Sequence, residues 1–302
     1  MVVDVPTESL AVTSSIKVLG ARQVGDVVWV EVQFEMPAAP GRAATFEPFL
    51  LVDGRWMHGW VQSEAWSDYK QVRSQHFILH YTAFDAPAIE GLLPYLDSLH
   101  ERAGADLGLQ EALPATEVFI LPPIRSATSS TPNYTGVISV PSPYATLRSS
   151  DITVQEHLRT LVGRQAVEGL VAYQVDPYSG WHPISVAFMR WELAQMGISP
   201  DPALERLLLG DKEGEELTSA SLERLVRTPP LGFNSASPTE YLMVEVLLDL
   251  LIETYGPEAV PALIHGLPGS QSTDDWLYRS LGVHFHEVKA LWQARLSAAL
   301  PE

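Results

Sequence analysis

Thr153-Val154-Gln155-Glu156-His157-Leu158-Arg159-Thr160-Leu161-Val162 is the stretch at which this chain changes character. Thr153 and Glu156 have the spacing of a capping box, in which a hydroxyl and a carboxylate take up amides of a first helical turn. Val154, Leu158, Leu161 and Val162 then recur as one apolar stripe. From Asp151 onward the signals are nearly all helical, whereas upstream they are mostly those of strands. That order predicts an α+β fold: a small antiparallel sheet domain, then a mainly helical domain with a small sheet of its own.

Upstream, Val28-Trp29-Val30-Glu31-Val32-Gln33-Phe34 alternates apolar and polar positions, the period of a strand with one buried face. Gly25-Asp26 supplies a turn after the strand-like Ile16-Lys17-Val18-Leu19. The Pro/Gly-rich segment Met36 to Arg42 breaks the pattern before Thr45 to Val52. Asp53-Gly54 is a strong hairpin turn ahead of Arg55 to Trp60. Together these segments predict a three- or four-stranded antiparallel meander over residues 1–72. A second domain, 73–302, opens with a strand at His76 to Tyr81. A helical stripe follows through Ile89, Leu92, Leu93, Leu96 and Leu99, within Ala86 to Leu107 and ending near Gly108. Thr116 to Leu121 and Gly136 to Val140 are two further short strands.

Downstream of residue 151, Ser237-Pro238-Thr239-Glu240 is a second capping signal, with Pro at the favoured first helical position. The helix it starts is apolar nearly all round, from Tyr241 to Ile252, and stops at Gly256-Pro257. Such a helix belongs in the middle of a core. Shorter helices follow, broken at Gly266 to Gly269 and at Gly282, and the last carries Val288, Leu291, Trp292 and Leu296.

Composition bounds the function. With 302 residues, 46% hydrophobic content and eight Trp, the chain can build sizeable cores. A formal charge of −18 with only 19 basic residues argues against nucleic acid and anionic membranes as partners. The absence of Cys excludes disulfides, thiolate nucleophiles and Cys metal sites. No run of about 18 apolar residues marks a membrane span, and the start has no signal-peptide pattern. The short lead before the first strand fits an ectodomain tethered by an upstream anchor.

A strand, a helix, two short strands and a helical array resemble the peptidase-MA-like domains of the gluzincin superfamily. Ser237 to Gly256 looks like that family's helix after the active site. Tyr255-Gly256-Pro257-Glu258-Ala259-Val260 looks like its tyrosine-glycine step into the next helix, and Trp276 to Val283 with Phe285, Val288 and Trp292 looks like its closing segment. The likeness runs from about His76 to Leu300. The meander ending in Leu51-Val52-Asp53-Gly54-Arg55-Trp56 is similar to the sheet of NTF2- or cystatin-like domains. In catalytic gluzincins two His four residues apart on one helix bind zinc, the Glu between them activates water, and a Glu of a later helix completes the shell. Here His157 has Leu161 four residues on, Glu156 precedes it, and Arg190-Trp191-Glu192-Leu193-Ala194 keeps only a Trp and a Glu near the expected place. The resemblance therefore implies a scaffold without its zinc site.

Other candidates are each weighed against an ordinary structural role. His284-Phe285-His286-Glu287 is the densest His/carboxylate cluster, but residues two apart at a helix start do not share an ion and further ligands are not evident, so surface or capping roles are expected. His76 and His80 share one face of a strand opposite Phe77 and Leu79, again with no third ligand. Glu213, Glu215 and Glu216 read as a solvated loop, and Asp274-Asp275 as helix-start carboxylates. Trp56, Trp60, Trp66 and Tyr69 read as packing between domains before a binding platform. There is no Gly-x-Ser-x-Gly elbow; Ser and Thr concentrate in loops such as Ser126 to Thr131, and no glycine-rich phosphate loop follows a strand.

These readings assign no catalytic, cofactor-binding or metal-ligating residue and no cofactor. The expected function is a non-catalytic binding or interaction module for a protein or peptide partner, outside the cytoplasm or at the cell surface as the resemblance to tethered bacterial proteins implies, with the cytoplasm as the alternative. One rival is a hydrolase whose site is assembled from dispersed residues. Another is a structural subunit of a larger assembly.

Overall fold

The computed structural model describes residues 16–24, 26–35, 42–59, 69–109, 113–122, 136–175, 181–198 and 238–299. The chain divides into two compact units, residues 1–97 with 115–162 and residues 98–114 with 163–302. The fold is α+β, with two sheets and seven α-helices among the described residues.

In the first unit, β1 (Lys17–Val24), β2 (Val27–Glu35), β3 (Arg42–Val52) and β4 (Arg55–His58) form an antiparallel meander in chain order. The strand β2 forms where the alternation places it, but its more buried face is the other one: Val27 and Trp29 are buried at its start, whereas Val28, Val30, Val32 and Phe34 are half-buried. Asp53 and Gly54 turn the β3–β4 hairpin with φ of 50° and 74°. Positive φ at both central residues is what a two-residue hairpin of matching twist requires, and Gly and Asp tolerate it best. Leu19 is skipped in the β1–β2 register, a bulge in this outer strand.

The second sheet has the order β5 (Tyr69–Arg73), β6 (Phe77–Thr82), β7 (Thr116–Leu121), β8 (Val137–Pro141). β6, β7 and β8 run parallel; β5 is antiparallel to β6. The sequence pattern does not reveal β5, because four of its five residues are exposed and no alternation results. Residue 72, where the sequence reading ends the first domain, lies inside this strand. A two-residue strand, β9 (Arg148–Ser149), returns to pair with Ala43 and Ala44 of β3, so the first sheet takes a fifth member from far along the chain.

Between β6 and β7 lies α1 (Leu92–Asp106), with Leu92, Leu96, Leu99 and Ala103 buried. It starts at Leu92, after the first residue of the apolar stripe, Ile89. Pro94 explains this: it lacks an amide and crowds the preceding turn, so it fits only in a first turn. The helix ends in a Schellman motif, with Leu109 N donating to Gly104 O at 2.8 Å and Gly108 N to Ala105 O at 3.1 Å. Gly108 has φ of 69°, and a Cβ there would lie 2.5 Å from Cβ of Pro261.

α2 (Val154–Gln174) begins at the capping box and buries Leu158, Val162, Val167 and Leu170. In the second unit follow α3 (His182–Gln195), α4 (Pro238–Tyr255), α5 (Val260–Gly266), α6 (Thr273–Leu281) and α7 (Phe285–Ala299). α4 packs against α3 and α7, and its Tyr241, Met243, Val244, Val246, Leu247, Leu248, Leu250 and Leu251 are all buried, the central position its all-round apolar sequence demands. Two buried indoles tie this array: Trp276 Nε1 donates to Leu263 O at 2.7 Å and Trp292 Nε1 to Met243 O at 2.9 Å. Each provides a large apolar area while its one donor is satisfied. No described helix is long and apolar enough to cross a membrane.

Candidate functional site

The start of α2 stands where the resemblance expects zinc ligands, and its polar side chains are individually engaged. Glu156 Oε2 accepts from the Thr153 amide at 2.7 Å and from its hydroxyl at 2.8 Å, while the Glu156 amide donates to Thr153 Oγ1 at 3.1 Å. The amide first, then the hydroxyl, holds the Glu156 carboxyl below its ordinary value. His157 Nε2 lies 2.9 Å from Thr146 Oγ1, Gln155 Nε2 donates to Pro87 O at 2.9 Å, and the Arg159 guanidinium lies over the Tyr95 ring. Leu161, half-buried and apolar, occupies the place of a second imidazole.

Glu192 is a different matter. On α3 it is 0% exposed, and neither carboxyl oxygen has a hydrogen-bond partner among the described residues. Burial pushes its carboxyl up to about 7; the Asp106 carboxylate adds to the rise and Arg102 opposes it. Arg102 itself donates to Gln195 O at 2.9 Å and stands 3.7 Å from Asp106 Oδ2. The group belongs to no set of three potential metal ligands among the described residues.

One such set exists among the described residues, at the junction of α6 and α7. His284 Nδ1 lies 3.0 Å from Asp274 Oδ2, and the Phe285 amide donates to Asp274 Oδ1 at 2.7 Å. The ligand-capable atoms of Asp274, His284 and His286 all lie within 4.8 Å of one another. The two imidazoles are roughly parallel with centroids 5.6 Å apart, and the Tyr278 ring also stacks on His284, at 4.9 Å. The structure thus brings these two histidines and a carboxylate of another helix closer together than the two-residue spacing alone suggests. His284 precedes the first residue of α7 and is free of helical spacing, and Asp274 arrives from the preceding helix. Burial acts to raise the Asp274 carboxyl, but hydrogen bonds from His284 and Phe285, with the charges of His284 and His286, outweigh it and hold the group below its ordinary value.

The remaining candidates that fall among the described residues are not brought together. His80 stacks on Phe119 at 4.3 Å with Nε2 3.4 Å from Glu117, on the face of β6 opposite the buried Phe77 and Leu79. Trp56 and Tyr69 are exposed; Trp60 and Trp66, Glu213, Glu215 and Glu216, and Ser126 to Thr131 lie outside the described residues. A pocket in the second unit, lined by Ile184, Met243, Val244, Leu247, Thr273, Phe285 and Trp292, has a volume of about 10 Å³, room for one water at most.

Sequence reasoning missed a buried polar cluster in the first unit. Asp85 is fully buried; its Oδ1 accepts from Ser142 Oγ at 2.6 Å and its Oδ2 from Thr82 Oγ1 at 2.7 Å. Burial raises its carboxyl, against the pull of those two hydroxyls and of Arg22. Arg22 donates to Phe84 O at 3.1 Å and lies over the rings of Phe84 and Tyr144. Arg148 pairs with Glu31 from far along the chain, linking β9 to β2 across β3. No linear motif marks these residues, since they come from five separate segments.

Comparison with protein-family models, with curated proteins and with solved structures finds no match to this chain. The gluzincin-like and NTF2- or cystatin-like readings rest on the residue patterns quoted above.

Proposed function

We propose that this protein is a non-catalytic binding or interaction module, built on a peptidase-MA-like scaffold behind an NTF2- or cystatin-like sheet. The observation that carries the reading is the occupation of α2. Glu156 is committed to capping Thr153, His157 is held at Thr146, and Leu161 is apolar, so the helix offers an ion one imidazole and no adjacent general base. Side chains left exposed on or next to the first sheet support an interaction role: Ile16, just before β1, and Val18 at 72% and 62%, with Leu51, Trp56 and Met57 around the β3–β4 hairpin. A protein or peptide partner fits such apolar strand positions, and the acidic balance disfavours nucleic acid. The resemblance to tethered surface proteins favours a place outside the cytoplasm.

The test is a protease assay with metal analysis of the purified protein. The expected result is no cleavage of casein or of a peptide library, with or without added zinc. Zinc-dependent cleavage abolished by His157→Ala would overturn the reading.

A further inference from the structure

We propose that Asp274, His284 and His286 form a surface site for a divalent transition-metal ion, at the junction of α6 and α7. The three side chains supply two imidazole nitrogens and one carboxylate oxygen, a borderline donor set that suits Zn²⁺, Ni²⁺, Co²⁺ or Cu²⁺ and not Mg²⁺ or Ca²⁺. Two donors held about 2.1 Å from one ion lie about 3 Å apart at right angles and about 3.4 Å apart in a tetrahedron. Asp274 Oδ2 and His284 Nδ1 already stand at 3.0 Å, and the His286 ligand atom falls within 4.8 Å of both. A small turn of the exposed His286 ring closes the remaining gap.

Surrounding contacts fix the other two ligands. The Phe285 amide holds the second Asp274 oxygen, so the first is left for His284 and an ion. Tyr278 stacks on the His284 ring and sets its plane. Glu287 Oε2 accepts the His284 amide at 2.5 Å and the Glu287 amide donates to His284 O at 3.0 Å, which pins the turn carrying both histidines. Partners of this kind orient ligands in metal sites. A purely structural role accounts for Asp274 and His284, whose contact staples two helix starts. His286 stacks on His284 and lies exposed, its charge acting on the Asp274 carboxylate, and neither contact among the described residues requires an imidazole at this place for the fold. Both histidines are exposed, so the remaining coordination positions face water and are open to a ligand from outside the chain.

Isothermal titration of the full chain, freed of metal with chelator, with Zn²⁺ and separately Ni²⁺ tests this. Binding of about one equivalent with a Kd below about 100 μM is expected, against negligible uptake of Mg²⁺. His286→Ala should weaken it about tenfold or more with an unchanged circular-dichroism melt, and Asp274→Asn, which can still accept the Phe285 amide, should weaken it similarly. In proton–nitrogen spectra of the imidazoles, Zn²⁺ should shift His284 and His286 and leave His76 and His80 unmoved. No binding below about 1 mM, or binding that His286→Ala and His284→Ala leave intact, overturns the proposal. The readout is binding alone, so the site stands or falls separately from the non-catalytic reading, which fails only on cleavage.

Discussion

Asp85 in the first unit and Glu192 in the second are both carboxyl groups wholly removed from solvent, yet the chain provides for them in opposite ways. Asp85 receives a hydroxyl on each oxygen, from Ser142 and Thr82, with the Arg22 charge nearby. Glu192 receives none among the described residues and has another carboxylate, Asp106, as its leading electrostatic neighbour. Burial pushes both groups upward. The difference lies in what is returned: hydrogen bonds offset much of the desolvation of Asp85, whereas Glu192 escapes its own by keeping a proton. A buried carboxyl is therefore a structural hub in one unit and a titratable weak point in the other.

The largest effect is expected from breaking the hub. Asp85→Ala leaves two buried hydroxyls without an acceptor and should cost about 3 kcal/mol or more in urea unfolding. A loss under about 1 kcal/mol would mean that Ser142 and Thr82 find other partners and that the contrast is false.

Next comes the pH dependence of Glu192. Its folded-state value, about 7, lies above the ordinary 4.5, so the neutral acid is favoured by folding. Its contribution is fully present below pH 4.5 and is lost as pH rises through about 7, since the unfolded chain then gives up its proton more readily. The loss across that window is about 3 kcal/mol. Glu192→Gln keeps the shape and cannot ionise, so its stability relative to wild type should grow by that amount between pH 4.5 and 8. A constant difference across those pH values would show that the carboxyl is paired after all.

A smaller effect sharpens the first. Ser142→Ala removes one of the two hydroxyls on Asp85 and should cost about 1 kcal/mol while raising the Asp85 carboxyl further, read by urea unfolding and by carboxyl NMR titration. The smallest concerns Arg102→Met. Loss of that guanidinium should move the Glu192 titration upward without abolishing it, because burial is its leading cause. A downward movement would reverse the assigned role of Arg102.

Much of the fold was legible before any coordinates. The Asp53-Gly54 turn, the Thr153/Glu156 cap and the glycines that end helices act over a few residues, and the structure places each as expected. The alternation in β2 locates the strand but not its more buried face, which carries Val27 and Trp29. β5 was hidden because an exposed edge strand need not alternate. The late start of α1 was readable from Pro94, whose missing amide outweighs the apolar stripe. Burial of Glu192 also had a signal: Ile184, Phe188 and Glu192 fall at four-residue spacing on one buried face of α3. The approach of Asp274 to His284 had none, as it depends on how the chain turns at Gly282, with φ of 71°, between two helices.

By itself the sequence determined where strands give way to helices, which helix must be central, and that no pair of histidines stands four residues apart on α2, because periodicity, turn chemistry and capping are local properties of the chain. Only the tertiary structure decided that β6, β7 and β8 run parallel, that β9 returns to the first sheet, that Asp85 is satisfied while Glu192 is not, and that two histidines and an aspartate share one corner. Those outcomes depend on distances between residues far apart in the chain, and burial and partner geometry are fixed only once packing brings them together.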